Sequence, residues 1–448
     1  MPTSLLDDTA RTKEDARRIA AVRRFGRERG EDELAQVLLP FFGMVLTDFI
    51  FVADDAGPAR SAVSIGRNLV RARSRSKGPG IRLVGPVLAA STSRQNLRVL
   101  DPIVAELEQR RGPAVVPAWT PLSGITLAKA RRRAATLTQE ARRFFSAVGA
   151  PLPSGVGDEI LRTAIVIERT RWLLRNTGAR VLVVASQHNS ASRAMLHAAH
   201  DVGGITTVYV PHAPVADVFY YRDLPCHKAL LRGPAEVAFY AGLGVDEGRL
   251  SIAGDPSLSH WPPVAAPTRD DVVFAVSAHR AERVEAAVAV VRDAGIERVE
   301  VAPHPRMDRD ALRAQCPSSW VFNPAPSTFG RLAEVGAAAV IQDSSGLGLE
   351  ALALGLPVID LCPVGSAPLY PFITAPHVDV VSSSDTLATA VADAVASRST
   401  VTSEERANFA AEWSEVGGSE AAALAADAIE GAVGLSSGPV LLDGWNHS

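Results

Sequence analysis

Residues 338–361 read AAVIQDSSGLGLEALALGLPVIDL, and this stretch decides the fold. Residues 338–341 are an apolar run of strand length, broken by the small polar group Gln342-Asp343-Ser344-Ser345-Gly346. Leu347, Leu349, Leu352 and Leu354 continue at helical spacing up to Gly355, where a left-handed turn is expected to end the helix. Pro357 follows, and residues 358–361 read as the next buried strand. The unit is strand, tight loop, helix, turn, strand. Ser hydroxyls and backbone N–H groups where the strand meets the helix suit an anion. A structural crossover with a serine cap fits the same residues.

The same alternation extends in both directions. Strands are expected at 81–88, 114–117, 180–185, 205–210, 228–231 and 249–253, then at 272–276, 299–302, 320–322 and 378–381. Helices are expected at 13–30, 96–110, 125–146, 157–176, 190–202, 234–243, 281–294, 328–335, 384–396, 403–413 and 418–433. The apolar run 38–53 is too short to span a bilayer and reads as a buried strand or helix. The first βαβ unit is expected to begin near residue 81. The proline-rich segment 260–271 reads as a linker. The fold class is therefore α/β, with two facing Rossmann-like domains and an interdomain cleft. The expected division is 1–262 for an N-terminal acceptor-side domain, 263–417 for a C-terminal donor-nucleotide domain, and 418–448 for a final helix and tail.

Length and composition agree with a globular protein. The chain has 448 residues, 47% apolar and 21% charged, with a net charge of −3. The charge is uneven. Residues 1–150 hold 25 Lys and Arg against 15 Asp and Glu, and the rest holds 21 against 34. A basic first part fits an anionic partner or a membrane surface, or an acidic face elsewhere in the chain. No nucleic-acid partner is expected. The three cysteines, Cys226, Cys316 and Cys362, lie far apart without metal-ligand spacing, which points to a reducing cytoplasm. The first residues, MPTSLLDDTARTKED, lack the apolar core of a signal peptide. The expected location is cytoplasmic, extending to a peripheral place at the inner membrane face.

Three polar clusters each follow a strand of the second half. They are Ser277 with His279, His304 with Pro305, and Asp343-Ser344-Ser345-Gly346. The carboxyl edge of a parallel sheet is where ligands bind. Ser344 and Ser345 can donate to a phosphate, and prolines on both sides stiffen the loop that carries His304. Glu350, about a turn and a half into the helix, can reach a ribose diol. In the first half, His188 and His212 follow strands, and Asp217 lies five residues after His212. A base opposite the donor needs a pKa that can be tuned near neutrality, which either histidine offers. Each residue also has a plain structural reading as a cap, a loop histidine or a surface acid. Tyr220, Tyr221 and Trp261 could stack on a sugar or base, or serve packing.

These features resemble the GT-B class of nucleotide-sugar glycosyltransferases over about residues 180–365. The carriers are YVPH at 209–212, LRG at 231–233, LGV at 243–245, IAGDP at 252–256 and SSGLGLEALALGLPVI at 344–359. Within that class, His304-Pro305 followed by Asp343-Ser344-Ser345 is similar to motifs of bacterial polysialyltransferases, capsule Kdo transferases and CDP-glycerol glycerophosphotransferases. The resemblance implies a CMP- or CDP-activated donor, contacted at phosphate and cytidine by those residues. The sialyltransferases' acidic motif has no clear counterpart, Asp54-Asp55-Ala56-Gly57 being the nearest string, so the base stays open among His212, His188 and Asp217. Asp343-Ser344-Ser345-Gly346 also resembles the donor loop of the UDP-N-acetylglucosamine 2-epimerases, whose Arg- and Glu-rich following segment is absent from PVIDLCPVGSAPLYPF. The expected activity is transfer of a sugar or polyol phosphate to a glycan, lipid or small-molecule acceptor, without metal or cofactor. Further alternatives are an epimerase-like enzyme and a catalytically silent nucleotide-binding partner.

Overall fold

Strands buried on both faces arrange the chain into two six-stranded sheets. The structure, a computed structural model, describes residues 9–47, 76–77, 80–119, 121–258, 271–277, 281–304, 307–323, 332, 336–364, 366–396 and 400–433. His279, Pro305, Trp261, the string 54–57, most of the linker 260–271 and most of the expected helix 328–335 lie outside the described residues.

A short antiparallel pair joins β1 (Ser76–Lys77) to β4 (Ala118–Trp119). The first large sheet contains β2 (Ile81–Val84), β3 (Val87–Ala90), β5 (Val181–Val184), β6 (Thr206–Tyr209), β7 (Lys228–Leu231) and β8 (Leu250–Ile252). Its order is β2-β3-β5-β6-β7-β8, parallel except for β2 against β3. Two expectations are corrected here. Residues 81–88 are not one strand but the start of a hairpin, turned at Gly85 with φ +52°. Residues 114–117 form no sheet strand: Val115 is 60% exposed and bridges only Leu83, so β3 pairs instead with distant β5.

Every residue of β5 is buried, because helices cover both faces of this sheet. Leu88, Leu182 and Val184 pack on one face with helices Glu33–Leu46, Gly124–Ala147, Val156–Thr177 and Ser190–Val202. Glu33–Leu46 settles the run 38–53 as helical through residue 46, started by Asp32 accepting the Leu34 and Ala35 N–H groups. Val87, Val181 and Val183 pack on the other face with helices Arg94–Arg111 and Gly418–Ala432. The last helix thus returns onto the first sheet. Arg110 and Arg111 clamp it through Asp427 and Glu430.

The second sheet holds β9 (Val272–Val276), β10 (Val299–Pro303), β11 (Val321–Phe322), β12 (Ala339–Gln342), β13 (Val358–Leu361) and β14 (Val378–Val381). Its order is β11-β10-β9-β12-β13-β14, all parallel. Counted from β9 this is the doubly wound order 3-2-1-4-5-6, whose direction reverses between β9 and β12. The opening stretch supplies β12, helix Leu347–Ala353 and β13, and Gly355 is left-handed at φ +76° as expected. Among the described residues no helix is long and apolar enough to cross a membrane.

Candidate functional site at the carboxyl edges of the two sheets

Register places the predicted C-terminal residues side by side. Pro303 pairs with Val276 and Gln342 with Ala275, so His304 follows level with Ser277 and the loop 343–346 leaves the adjacent strand beside them. The His304 N–H still donates to the Val276 carbonyl at 2.9 Å, which carries the ladder one residue further. With neighbouring strands about 4.8 Å apart, three adjacent chain ends offer polar groups across about 10 Å.

The loop at 343–346 is built differently from the expectation. Ser344 is the one described non-glycine residue at positive φ, +49°. Its N–H is not open to a ligand, because it donates to Asp360 Oδ2 at 3.1 Å. Gln342 Nε2 donates to the same oxygen at 2.9 Å. The Ser345 hydroxyl accepts the Leu347 N–H at 3.3 Å, so it also caps the turn. Asp343 is almost wholly buried, and its carboxylate is held by Arg283 Nε at 3.0 and 3.1 Å. Helix Leu347–Ala353 is only two turns long, so its dipole is small. The hydroxyls and His304 therefore carry more of any anion contact than the helix end does.

Asp360 acts as the anchor beneath this loop. It is fully buried, and burial, then the nearby Asp343 carboxylate, push its pKa up to about 7. Its Oδ1 has no hydrogen-bond partner among the described residues, which suits a protonated oxygen. The folded state then binds this proton more tightly than the unfolded chain, so the contribution of Asp360 to stability is greatest at low pH and falls as pH rises toward about 7. Asp360→Asn keeps an acceptor for Ser344 and flattens that slope in melting curves taken from about pH 5 to about pH 8. Asp360→Ala strands two donors and costs about 1–3 kcal/mol for each. Equal melting temperatures for the two variants would remove Asp360 from this role.

In the first half of the chain, the first sheet presents its own carboxyl edge. His212 follows β6, and its Nδ1 lies 2.5 Å from the Ala185 carbonyl oxygen. A carbonyl only accepts, so Nδ1 carries the proton and Nε2 the lone pair. Burial, opposed by that carbonyl and reinforced by Arg232, lowers the His212 pKa and favours the neutral ring. His188 lies parallel to His212 at 6.0 Å and stacks on Tyr221 at 4.7 Å. Tyr220 and Tyr221 are buried here, so packing dominates their role. Asp217 is not brought to either histidine by any hydrogen bond. It is exposed and accepts from Arg222 at 2.8 and 3.2 Å.

The two edges meet. A Cβ at Gly346 would lie 3.0 Å from Pro214 Cδ, so the loop after His212 rests on the serine loop. The Asp217 N–H donates to the Leu369 carbonyl at 3.0 Å, again across the halves. Glu350 faces Arg98 at 3.9 Å, from helix Arg94–Arg111 of the first half. Enclosure raises the Glu350 carboxyl to about 7, with Arg98 opposing and Asp255 adding to the rise.

Four residues of this cluster have no assigned role in the sequence reading, although Arg232 and Asp255 lie in strings that carry its resemblance. Arg232 directly follows β7, Asp255 lies three residues past β8, and Arg232 Nη1 lies 3.4 Å from Asp255 Oδ2. Buried Glu236 accepts the Val215 and Arg232 N–H groups at 3.1 and 3.0 Å and so pins the His212 loop. Arg98 is the fourth. A charged residue directly after an apolar strand is the signal that marks Arg232, whereas nothing local marks Arg98. Among the described residues no group of three or more His, Cys, Asp or Glu could hold a metal ion.

No protein-family model and no curated protein matches the chain. Among solved structures it is similar to a protein of Listeria monocytogenes described as a UDP-N-acetylglucosamine 2-epimerase. The identity is 14% and the TM-score 0.51, over 78% of this chain and 96% of that one. The glycosyltransferase of kitacinnamycin aligns at 15% identity and TM-score 0.48, over 77% and 98%. The UDP-GlcNAc 2-epimerase of Methanocaldococcus jannaschii aligns at 14% and 0.47, over 77% and 98%. At such identities the likeness concerns architecture, and with its two six-stranded sheets and the helices that cover them the chain has the GT-B fold.

Proposed function

We propose that this chain is a GT-B glycosyltransferase that moves a sugar or polyol phosphate from a nucleotide-activated donor to a hydroxyl acceptor. One observation carries the reading: Ser277, His304 and the loop 343–346 leave three neighbouring strands at the reversal point of the second sheet, and the Pro214–Gly346 contact brings the His212 loop to them. The cytidine identity of the donor, CMP- or CDP-linked, rests on the resemblance of His304-Pro305 and Asp343-Ser344-Ser345 to families that use such donors.

In this reading Ser277, His304, Ser345 and Gly346 face the donor phosphate, and Glu350 accepts from the ribose diol. His212 takes the acceptor's proton on Nε2 as its oxygen attacks the transferred group. The electron pair of the broken bond leaves with the nucleotide phosphate, whose charge the serine hydroxyls and His304 meet. His188 supports the His212 ring by stacking. Asp217, paired with Arg222, is given no step.

A melting-temperature screen with CMP, CDP, UDP, GDP and dTDP tests the reading. A nucleotide at a hundred times its Kd adds about 2.7 kcal/mol of stability. The cytidine nucleotides are expected to raise the melting temperature, and His304→Ala and Ser345→Ala to reduce that rise. No response to any nucleotide would overturn the reading. Exchange of the C2 proton of UDP-N-acetylglucosamine in labelled water would replace it with an epimerase, and binding without turnover would leave a silent partner.

A further inference from the structure

We propose that Arg98, carried by the N-terminal half, is the counter-charge for the donor phosphate. Paired loosely with Glu350, it exchanges that carboxylate for phosphate when the nucleotide binds and leaves Glu350 to the ribose hydroxyls. The inference rests on the nucleotide reading of the cleft and assigns it a ligand from the opposite half.

The backbone under Arg98 is held firmly. Helix Arg94–Arg111 follows β3 through Ser91-Thr92-Ser93, and the Ser93 hydroxyl accepts the Asn96 N–H at 3.2 Å. Asn96 is buried, and its Oδ1 takes the Thr92 N–H at 3.1 Å and the Thr92 hydroxyl at 2.8 Å. Arg98 lies one residue past this capped turn, so its guanidinium swings from a fixed base.

Its present pairing is weak. The distance to Glu350 is 3.9 Å, beyond a hydrogen bond, and the Arg98 side chain is 50% exposed. Such a pair contributes about 0–1 kcal/mol. An arginine facing a phosphate can form two parallel charge-assisted hydrogen bonds, which are shorter and stronger. Glu350 can part with Arg98 without being left as a bare buried charge. Enclosure, and to a lesser degree Asp255, already favours its protonated form, and diol hydroxyls can donate to it when ionised. Among the described residues, two further guanidiniums near this edge are committed elsewhere. Arg283 is held by Asp343, and Arg232 is buried between Glu236 and Asp255.

Calorimetric titration of the full chain with cytidine and with CMP tests the exchange. Wild type is expected to bind CMP more tightly than cytidine, by an increment that shrinks with salt. Arg98→Ala is expected to weaken CMP by about 10- to 100-fold, the range of one charge-assisted contact, while leaving cytidine unchanged. Arg98→Lys is expected to recover part of the loss. Glu350→Gln is expected to keep the phosphate increment and to lose the preference for ribose over deoxyribose. Arg98→Ala that leaves CMP affinity intact, or weakens cytidine equally, overturns the inference and leaves the nucleotide reading standing. Wild type that binds neither ligand nor any other nucleotide overturns both.

Discussion

His212→Ala lowers turnover of the donor by about 10²- to 10⁴-fold, the usual contribution of a positioned general base, and leaves nucleotide affinity nearly unchanged. The expectation follows from three features. The Ala185 carbonyl holds Nδ1–H, which fixes the tautomer with its lone pair on Nε2. Burial and Arg232 lower the ring's pKa, so the base form is already populated at neutral pH. Glu236 pins Val215 and Pro214 packs on Gly346, which keep the His212 loop against the serine loop 343–346. The pH profile has a sign. Turnover rises with pH through a His212 pKa below the ordinary histidine value and is flat at neutral pH. Asp217→Ala is the contrast: an exposed carboxylate paired with Arg222 changes turnover by less than about twofold. A rate that survives loss of His212, or that falls equally with Asp217→Ala, would move the base elsewhere.

The second large effect is on stability. Gly254 has φ +81°, and a Cβ there would lie 2.2 Å from the Val416 carbonyl oxygen. That oxygen cannot move aside easily. It accepts the Asp255 N–H at 2.8 Å, while the Gly418 N–H donates to Asp255 at 3.1 Å and the Glu415 N–H to Arg232 at 3.0 Å. This backbone-to-backbone seam ties the strand ends of the first sheet to the segment that leads into helix Gly418–Ala432. Gly254→Ala is expected to cost about 2–5 kcal/mol, from left-handed strain of about 1–2 and overpacking of about 1–3. Gly295→Ala is the control. Gly295 is also left-handed, at φ +70°, but a Cβ there meets nothing within 4 Å. It should lower the thermal midpoint by the strain alone, about 1–2 kcal/mol. Equal drops for the two variants would show that the seam yields.

Local pattern located most elements. Lys228–Leu231, Val272–Val276, Val358–Leu361, Ser190–Val202 and Ser403–Trp413 match their expected bounds, because each is an apolar run or helical stripe closed by polar or turn residues. Errors arose where short apolar runs carry no record of their partner. Residues 114–117 look like 181–184, yet one run is exposed beside Leu83 and the other lies mid-sheet. Helix Arg309–Gln315 escaped notice because Leu312 is its one buried residue.

By itself, the sequence determined the α/β class and the second-sheet edge where Ser277, His304 and Ser344 stand, since residues that follow strands must emerge at a sheet edge. It also marked the stretch 338–361, though as an open anion loop. Only the tertiary structure decided that Asp360 takes the Ser344 N–H, that Ala185 sets the His212 tautomer, and that Arg98 meets Glu350. The physical reason is range. Periodicity and turn chemistry act over a few residues, whereas these contacts join groups 16, 27 and some 250 residues apart, which only the packed fold brings together.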